Sequence, residues 1–187
     1  MDRPLPALLR PVSPDWRLLA PNLLLFQAGW FAAVLGAANG MPWLGHFAIA
    51  AILAFHLYRA ADPAKEAGLI LGVLLVGLVF ESMLAASGWV AYTDHAAATP
   101  PLWMIMLWAN FAATLNVALR SLRNRGWLLA LLGFVGGPLA YWGGTGLGAM
   151  TWLEPEAVLF YLALGWAVLT PLLGRLALRF DGYRHGL

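Results

Sequence analysis

The chain has 187 residues, of which 61% are hydrophobic and 11% are charged, and its formal net charge is +2. An ordinary soluble domain has about 25% charged residues, so this composition cannot cover a water-exposed surface and excludes a typical soluble globule. The small, scattered positive charge argues against nucleic-acid binding. The sequence contains no cysteine, which excludes disulfides, thiolate nucleophiles, iron–sulfur clusters and cysteine zinc sites.

Six apolar runs follow one another along the chain. A helix needs about 20 mostly apolar residues to cross the hydrocarbon core of a bilayer, and charge, proline or glycine bounds it. The predicted spans are residues 18–38, 43–58, 66–88, 102–119, 127–148 and 156–178. In chain order, they are separated by Asn39-Gly40, Arg59 with Asp62-Pro63, Asp94 with Pro100-Pro101, Arg120, and Glu154-Pro155.

The short connections leave no room for a soluble domain. Residues 18–178 are therefore predicted to form one six-helix transmembrane domain. A mobile cytoplasmic tail of residues 1–17, which is rich in proline, is expected before it, and a second cytoplasmic tail of residues 179–187 after it. A cleaved signal peptide is the alternative for the first run, but that run is long for one and contains Gln27.

The positions of Lys and Arg predict the orientation of the spans. All 11 basic residues lie before the first run, between the second and third, between the fourth and fifth, or at the end of the sixth and beyond. They are Arg3, Arg10, Arg17, Arg59, Lys65, Arg120, Arg123, Arg125, Arg175, Arg179 and Arg184. Because cytoplasmic loops retain such residues during insertion, we expect both chain ends to be cytoplasmic. The sequence therefore predicts an all-α, polytopic bundle of six transmembrane helices with both ends inside.

A few polar side chains lie within the predicted spans, and Glu81, His46 and Tyr141 lie in the outer halves of theirs. An ionisable group inside a membrane is costly unless it is paired, neutral or hydrated, so Glu81 is a candidate catalytic residue. We expect it to carry a proton or act as a general base with His46 as its partner, since a carboxylate beside an imidazole can exchange a proton. Asn110, Thr114 and Tyr141 would bind the substrate in one polar pocket, which they would form together with Glu81 and His46.

The alternative is that these groups only hold helices together, with Glu81 protonated. We interpret Gln27, His56 and Asn116, in the predicted cytoplasmic half, as structural. Pairs of glycines four residues apart, such as Gly133 and Gly137, predict close helix contacts within the molecule. No metal site is predicted, because no histidine pair has the spacing of one.

Several segments resemble one family of small bacterial inner-membrane proteins, catalogued as a domain of unknown function (family 2878). The segments are Asn22 to Trp30, Gly36 to Gly45, Pro101-Leu102-Trp103, Asn116 with Arg120, and Gly136 to Tyr141. The resemblance covers about Asn22 to Leu178. It implies a location in the bacterial inner membrane and a genomic association with enzymes that modify fatty acyl chains. It supplies no activity and no catalytic residues.

Three classes of function fit these expectations. The first is an accessory protein or enzyme of membrane-lipid (fatty acyl) modification, which would hold an acyl substrate near Glu81. The second is a proton-coupled small-solute transporter, and the third is a non-catalytic assembly subunit of a membrane complex. The expected partners are the lipid bilayer and a lipid or small-molecule ligand, without a nucleic acid or a cofactor. The sequence leaves the oligomeric state and the presence of enzymatic activity open.

Overall fold

A computed structural model describes residues 16–93, 95–96 and 98–183. The described chain folds into six α-helices, a two-stranded sheet and a short 3-10 turn. The helices are α1 (Trp16–Ala38), α2 (Trp43–Arg59), α3 (Pro63–Ala86), α4 (Leu102–Leu115), α5 (Gly126–Gly146) and α6 (Pro155–Arg179). The strands are β1 (Val90–Tyr92) and β2 (Met150–Trp152), and the 3-10 turn is Arg120–Leu122. The all-helical architecture that the sequence predicts is therefore confirmed.

Four of the described helices, α1, α3, α5 and α6, are long and apolar enough to cross a membrane. The other two are shorter, with 17 residues in α2 and 14 in α4. Large hydrophobic side chains are exposed on the helix faces, among them Leu24, Phe47, Trp142 and Phe160. Lipid is the solvent that makes such exposure favourable, so these helices indicate an integral membrane protein.

The main difference from the predicted spans is in α4. The apolar run reaches residue 119, but the helix ends at Leu115, and the chain continues in turns to the 3-10 segment. The side chain of Asn116 explains this ending, because its Nδ2 donates to Oε1 of Glu66 at 2.6 Å and to the carbonyl of Phe180 at 2.8 Å. Hydrophobic periodicity does not reveal such a distant polar contact.

Two loops meet at one end of the bundle. The strand β1 follows α3 and pairs antiparallel with β2, which follows α5, so that Ala91 lies opposite Thr151. Gly88 and Gly148 precede the strands with φ angles of 72° and 86°, a conformation that favours glycine. The sequence does not predict this sheet, because three-residue strands are too short to show an alternating pattern.

Helices pack closely where glycine removes the side chain. A Cβ on Gly45 of α2 would lie 2.4 Å from the Cα of Ala33 in α1, and one on Gly133 of α5 would lie 2.2 Å from the carbonyl oxygen of Trp166 in α6. Gly137, one turn later, lies against the indole of the same Trp166. The glycine pair in α5 thus packs within the molecule. The mostly buried α4 contacts α1, α2, α3 and α6, whereas α5 packs mainly along α6.

The two predicted tails are only partly described. Residues 1–15 and 184–187 lie outside the described part of the chain, and so does Asp94. Trp16 and Arg17 belong to the first turn of α1. After α6, Asp181 and Tyr183 are buried against the bundle, with 5% and 6% of their surface exposed.

Candidate functional site

Glu81 is fully buried in α3 and accepts hydrogen bonds from three side chains. The indole Nε1 of Trp108 in α4 donates to Oε1 at 2.9 Å, and the hydroxyl of Tyr141 in α5 donates to the same oxygen. The hydroxyl of Tyr92 in β1 lies 3.4 Å from Oε2. We call these four residues the Glu81 cluster. It joins two helices and a strand to α3 through one carboxyl group.

The donors of the Glu81 cluster are neutral. No ion pair to Glu81 forms within the described residues, so hydrogen bonds and not a cation balance its polarity. At Tyr92, which lies outside the helices, burial and the neighbouring Glu81 raise the pKa, so the phenol stays a proton donor. A carboxyl group with hydroxyl neighbours in an apolar interior is suited to storing and exchanging a proton.

A cavity of about 480 Å³ lies beside the cluster, between α1 and α4 on one side and α5 and α6 on the other. We call it the lateral cavity. The described residues that line it include none that is charged. They are Leu23, Phe26, Gln27, Trp30, Val34, Trp103, Met104, Leu107, Trp108, Phe111, Thr114, Leu119, Leu132, Gly133, Gly136, Gly137, Leu139, Ala140, Tyr141, Gly144, Met150, Trp166 and Thr170.

The lateral cavity is elongated along the helices and reaches the surface of the protein. From Leu132 to Gly144 it follows α5 for about 18 Å, at a helical rise of about 1.5 Å per residue. Some of its lining residues are exposed, including Leu23 of α1 and Leu139 of α5. The cavity therefore opens between α1 and α5, toward the side of the bundle that faces lipid.

Two members of the Glu81 cluster form part of the cavity wall. Trp108 and Tyr141 line the cavity, whereas Glu81 lies behind them and is not part of the lining. Tyr141 therefore contacts both the cavity and, through its hydroxyl, the carboxyl group of Glu81. A ligand in the cavity would contact Tyr141 and Trp108 directly, and Glu81 only through these two residues.

The structure brings some of the predicted site residues together and leaves others apart. Glu81 and Tyr141 are hydrogen-bonded, and Thr114 lines the cavity, with its hydroxyl donating to the carbonyl of Phe111. Asn110 lies outside the lining, and its Nδ2 donates to the carbonyl of Phe26 at 2.9 Å, which joins α4 to α1. His46 is half-buried in α2 and is not among the hydrogen-bond partners of Glu81.

A second buried cluster, centred on Glu66, was not predicted as a site. Its Oε2 lies 2.8 Å from Nε2 of His56, and its Oε1 accepts from Asn116 at 2.6 Å and from the backbone N–H of Gly182 at 2.8 Å. The sequence offered one signal, because His56, Glu66 and Asn116 all lie near span ends predicted to be on the cytoplasmic side.

The same cluster extends to the residues that follow α6. Arg123 donates to Oδ1 of Asn116 and pairs with Asp181, with 3.0 Å between Nη2 and Oδ2. The hydroxyl of Tyr183 donates to the carbonyl of His56 at 2.7 Å, and burial, with Glu66 nearby, raises the pKa of Tyr183 to about 12. We call this set of residues the Glu66 network: His56, Glu66, Asn116, Arg123, Asp181, Gly182 and Tyr183. None of them lines the lateral cavity. Their contacts join the end of α2 and the start of α3 to the segments that follow α4 and α6.

Comparison with known proteins places the chain in a family but gives it no function. No curated protein and no solved structure matches it. The model of DUF2878, described as a protein of unknown function, matches residues 19–172. Because this match covers most of the 187 residues, the chain belongs to the DUF2878 family.

Proposed function

We propose that the protein binds the apolar chain of a membrane lipid in the lateral cavity and serves lipid modification, as an enzyme or as an accessory to one. The observation that carries this proposal is the cavity itself, which is apolar, elongated and open toward lipid between α1 and α5. Its volume of about 480 Å³ falls within the range of about 300–1,000 Å³ that is typical of ligand sites.

The length of the cavity also suits a lipid chain. The hydrocarbon core of a bilayer is about 30 Å thick, so the chain of a lipid in one leaflet extends over about 15 Å. The lateral cavity follows α5 for about 18 Å, with the helix axis as its long direction. A chain could therefore pass from the bilayer into the cavity between α1 and α5 without leaving the hydrocarbon region.

In this proposal all six helices cross a bacterial inner membrane, with both chain ends on the cytoplasmic side. Support comes from the Glu66 network, which unites the end of α2, the start of α3 and the segments after α4 and α6. The described Lys and Arg residues lie at or near this end of the bundle. Such a concentration of cations is typical of the cytoplasmic side.

Glu81 and Tyr141 would supply the chemistry in this proposal. Tyr141 faces the cavity and is hydrogen-bonded to Glu81, so a proton could pass between the carboxyl group and a bound ligand through the phenol. Thr114 would contribute to the wall of the same site. The expected roles of His46 and Asn110 stay predictions.

Filling the cavity tests the proposal. A Cβ on Gly136 would meet no atom within 4 Å, so Gly136→Phe places a ring in the cavity without a clash in the backbone. Gly146, also in α5, has equally open surroundings and does not line the cavity, so Gly146→Phe is the matched control. The probe is a palmitic acid analogue with a diazirine at mid-chain, which is photo-crosslinked to the protein in native membranes.

We expect the probe to label peptides of α1 and α5 in the wild type and in Gly146→Phe. Labelling of these peptides should fall at least several-fold in Gly136→Phe, because the ring occupies the space of the chain. Equal labelling of Gly136→Phe and the wild type would contradict lipid binding in this cavity.

A further inference from the structure

The lining of the lateral cavity contains one amide, the side chain of Gln27 in α1, and this amide is accessible. Within the described chain, neither its oxygen nor its nitrogen makes a hydrogen bond. The amides of Asn22 and Asn110, by contrast, donate to backbone carbonyls and join α1 to α4. Gln27 therefore does not hold described helices together, and its hydrogen-bonding groups are available to a ligand.

The depth of Gln27 makes a free amide unfavourable. Gln27 is the middle residue of α1, about 16 Å from either end of the helix. The hydrocarbon core of a bilayer is about 30 Å thick, so the amide lies well inside it, where lipid chains offer no hydrogen-bond partner. A polar group without a partner in such surroundings costs free energy. A ligand that hydrogen-bonds to the amide would remove this cost.

The other groups of the lining indicate what kind of ligand this would be. No charged residue lines the cavity within the described chain, so a phosphate or carboxylate would lose its hydration without gaining a counter-ion. The hydroxyls of Thr114, Thr170 and Tyr141 already donate their protons to other groups of the protein. The amide of Gln27 has a free donor and a free acceptor side by side. A neutral ligand group that both accepts and donates, such as a hydroxyl, satisfies both.

The position of Gln27 relates it to the Glu81 cluster. Both α1 and α5 run toward the end of the bundle that carries the β1–β2 sheet, and they meet where the ring of Trp30 contacts Gly143. Gln27 lies three residues before Trp30, and Tyr141 lies two residues before Gly143. The two residues are therefore at about the same height in the bundle, within about 2 Å, and both line the cavity.

We infer that Gln27 binds the ligand of the lateral cavity, and that this ligand is a lipid whose chain bears a neutral group that both donates and accepts a hydrogen bond, such as a hydroxyl. This inference rests on the proposed lipid binding and names the class of lipid. Gln27 is a binding residue in this arrangement. It would hold the polar group of the chain at the height of Tyr141, inside the membrane and away from the headgroups.

Competition against the crosslinking probe tests the inference. Three competitors of equal chain length are added at equal mole fraction to membranes: an alcohol with its hydroxyl at mid-chain, a ketone with its carbonyl at mid-chain, and an alkane. The membranes contain the wild type, Gln27→Met or Leu24→Met. Gln27→Met removes the amide and keeps the length of the side chain. Leu24→Met is the matched control, because Leu24 is exposed on α1, about one turn away, and does not line the cavity.

We expect the alcohol to compete about 3- to 10-fold better than the alkane in the wild type and in Leu24→Met, as the added hydrogen bonds allow. The ketone, which only accepts, should fall between the two. In Gln27→Met the advantage of the alcohol should disappear, while the alkane still competes.

Equal competition by the alcohol and the alkane in the wild type would overturn the inference, whether or not Gln27→Met folds. A ketone that equals the alcohol, or an advantage that persists in Gln27→Met, would also overturn it. So would a wild type that is dimeric in mild detergent when Gln27→Met is monomeric, because a second copy would then supply the partner of the amide. Each of these results leaves the lipid-binding proposal intact if Gly136→Phe still loses labelling, so the two can fail separately.

Discussion

Glu81 combines a residue that sequence reasoning can find with partners that it cannot. An acid within an apolar run is conspicuous, and Tyr141 is one of few hydroxyls in the predicted spans, so both are identifiable without a structure. Trp108 and Tyr92 are not, because an aromatic residue inside a span is ordinarily interpreted as packing and one near a span end as a membrane anchor. Only the folded arrangement of α3, α4, α5 and β1 shows that all three partners donate to one carboxyl group.

Replacement of Glu81 separates its role as an acceptor from its charge. In Glu81→Leu the three donors lose their acceptor, and we expect the free energy of unfolding in detergent to fall by about 2–4 kcal/mol. Glu81→Gln keeps one oxygen, which can still accept from Trp108 and Tyr141, so we expect a loss of about 1 kcal/mol or less.

The matched control for this prediction is Glu156→Leu, since Glu156 is exposed in the first turn of α6. It should change stability by no more than about 0.5–1 kcal/mol. Equal destabilisation by Glu81→Leu and Glu81→Gln would show that acceptance of hydrogen bonds is not what Glu81 contributes.

At the level of elements, the glycines of α5 have two different roles. Gly133 and Gly137 lie against α6, where the backbone and indole of Trp166 leave no room for a side chain. Gly136 faces the lateral cavity, and its surroundings are open. Gly133 and Gly137 also border the cavity, so one helix uses glycine both for close packing and to leave space for a ligand.

A pair of alanine substitutions tests this division of α5. Gly133→Ala would place a Cβ 2.2 Å from the carbonyl oxygen of Trp166, a backbone atom that cannot rotate away. We expect it to lower the free energy of unfolding by about 1–3 kcal/mol. Gly136→Ala should leave stability unchanged or raise it by up to about 1 kcal/mol, because alanine favours helix more than glycine does. Unfolding in detergent measures both, and a similar loss in both variants would contradict the packing described.

The elements differ in how far the sequence predicts them. The helices lie where long apolar runs predict them, because the bilayer requires such runs and they are easily recognised. The short α4 and the two strands do not follow from periodicity, since side-chain contacts of Asn116 and pairing between distant loops determine them. The Glu66 network was missed for the same reason, as Glu66 and Gly182 are far apart in the sequence.

Across the whole molecule, different interactions join the two ends of the bundle. The Glu66 network holds the end at which cations concentrate, and the β1–β2 sheet holds the opposite end. Between them, α5 approaches α1 near Gly143, where a Cβ would lie 3.2 Å from the ring of Trp30. Because interactions join both ends of the bundle, the proposed lipid ligand is expected to enter the lateral cavity from the side that faces lipid.

Cysteine labelling tests the orientation of the bundle, and the lack of native cysteine removes any background. Ser121 at the cation-rich end and Thr151 in β2 are both exposed, so each tolerates replacement by cysteine. In spheroplasts, we expect a membrane-impermeant maleimide to label Thr151→Cys. Ser121→Cys should react only after the membrane is opened, because positively charged loops stay in the cytoplasm. Labelling of Ser121→Cys in intact spheroplasts would refute the orientation.

The contact between Glu66 and Gly182 has a consequence for biogenesis. Because a ribosome makes the chain from its amino end, α3 enters the membrane well before the residues that follow α6 are synthesised. During this interval Glu66 lacks the N–H of Gly182, and Arg123 lacks the carboxylate of Asp181. Until then, Glu66 and Arg123 are only partly paired. Insertion of α6 and folding of the residues that follow it therefore complete the hydrogen bonds and the ion pair of the Glu66 network.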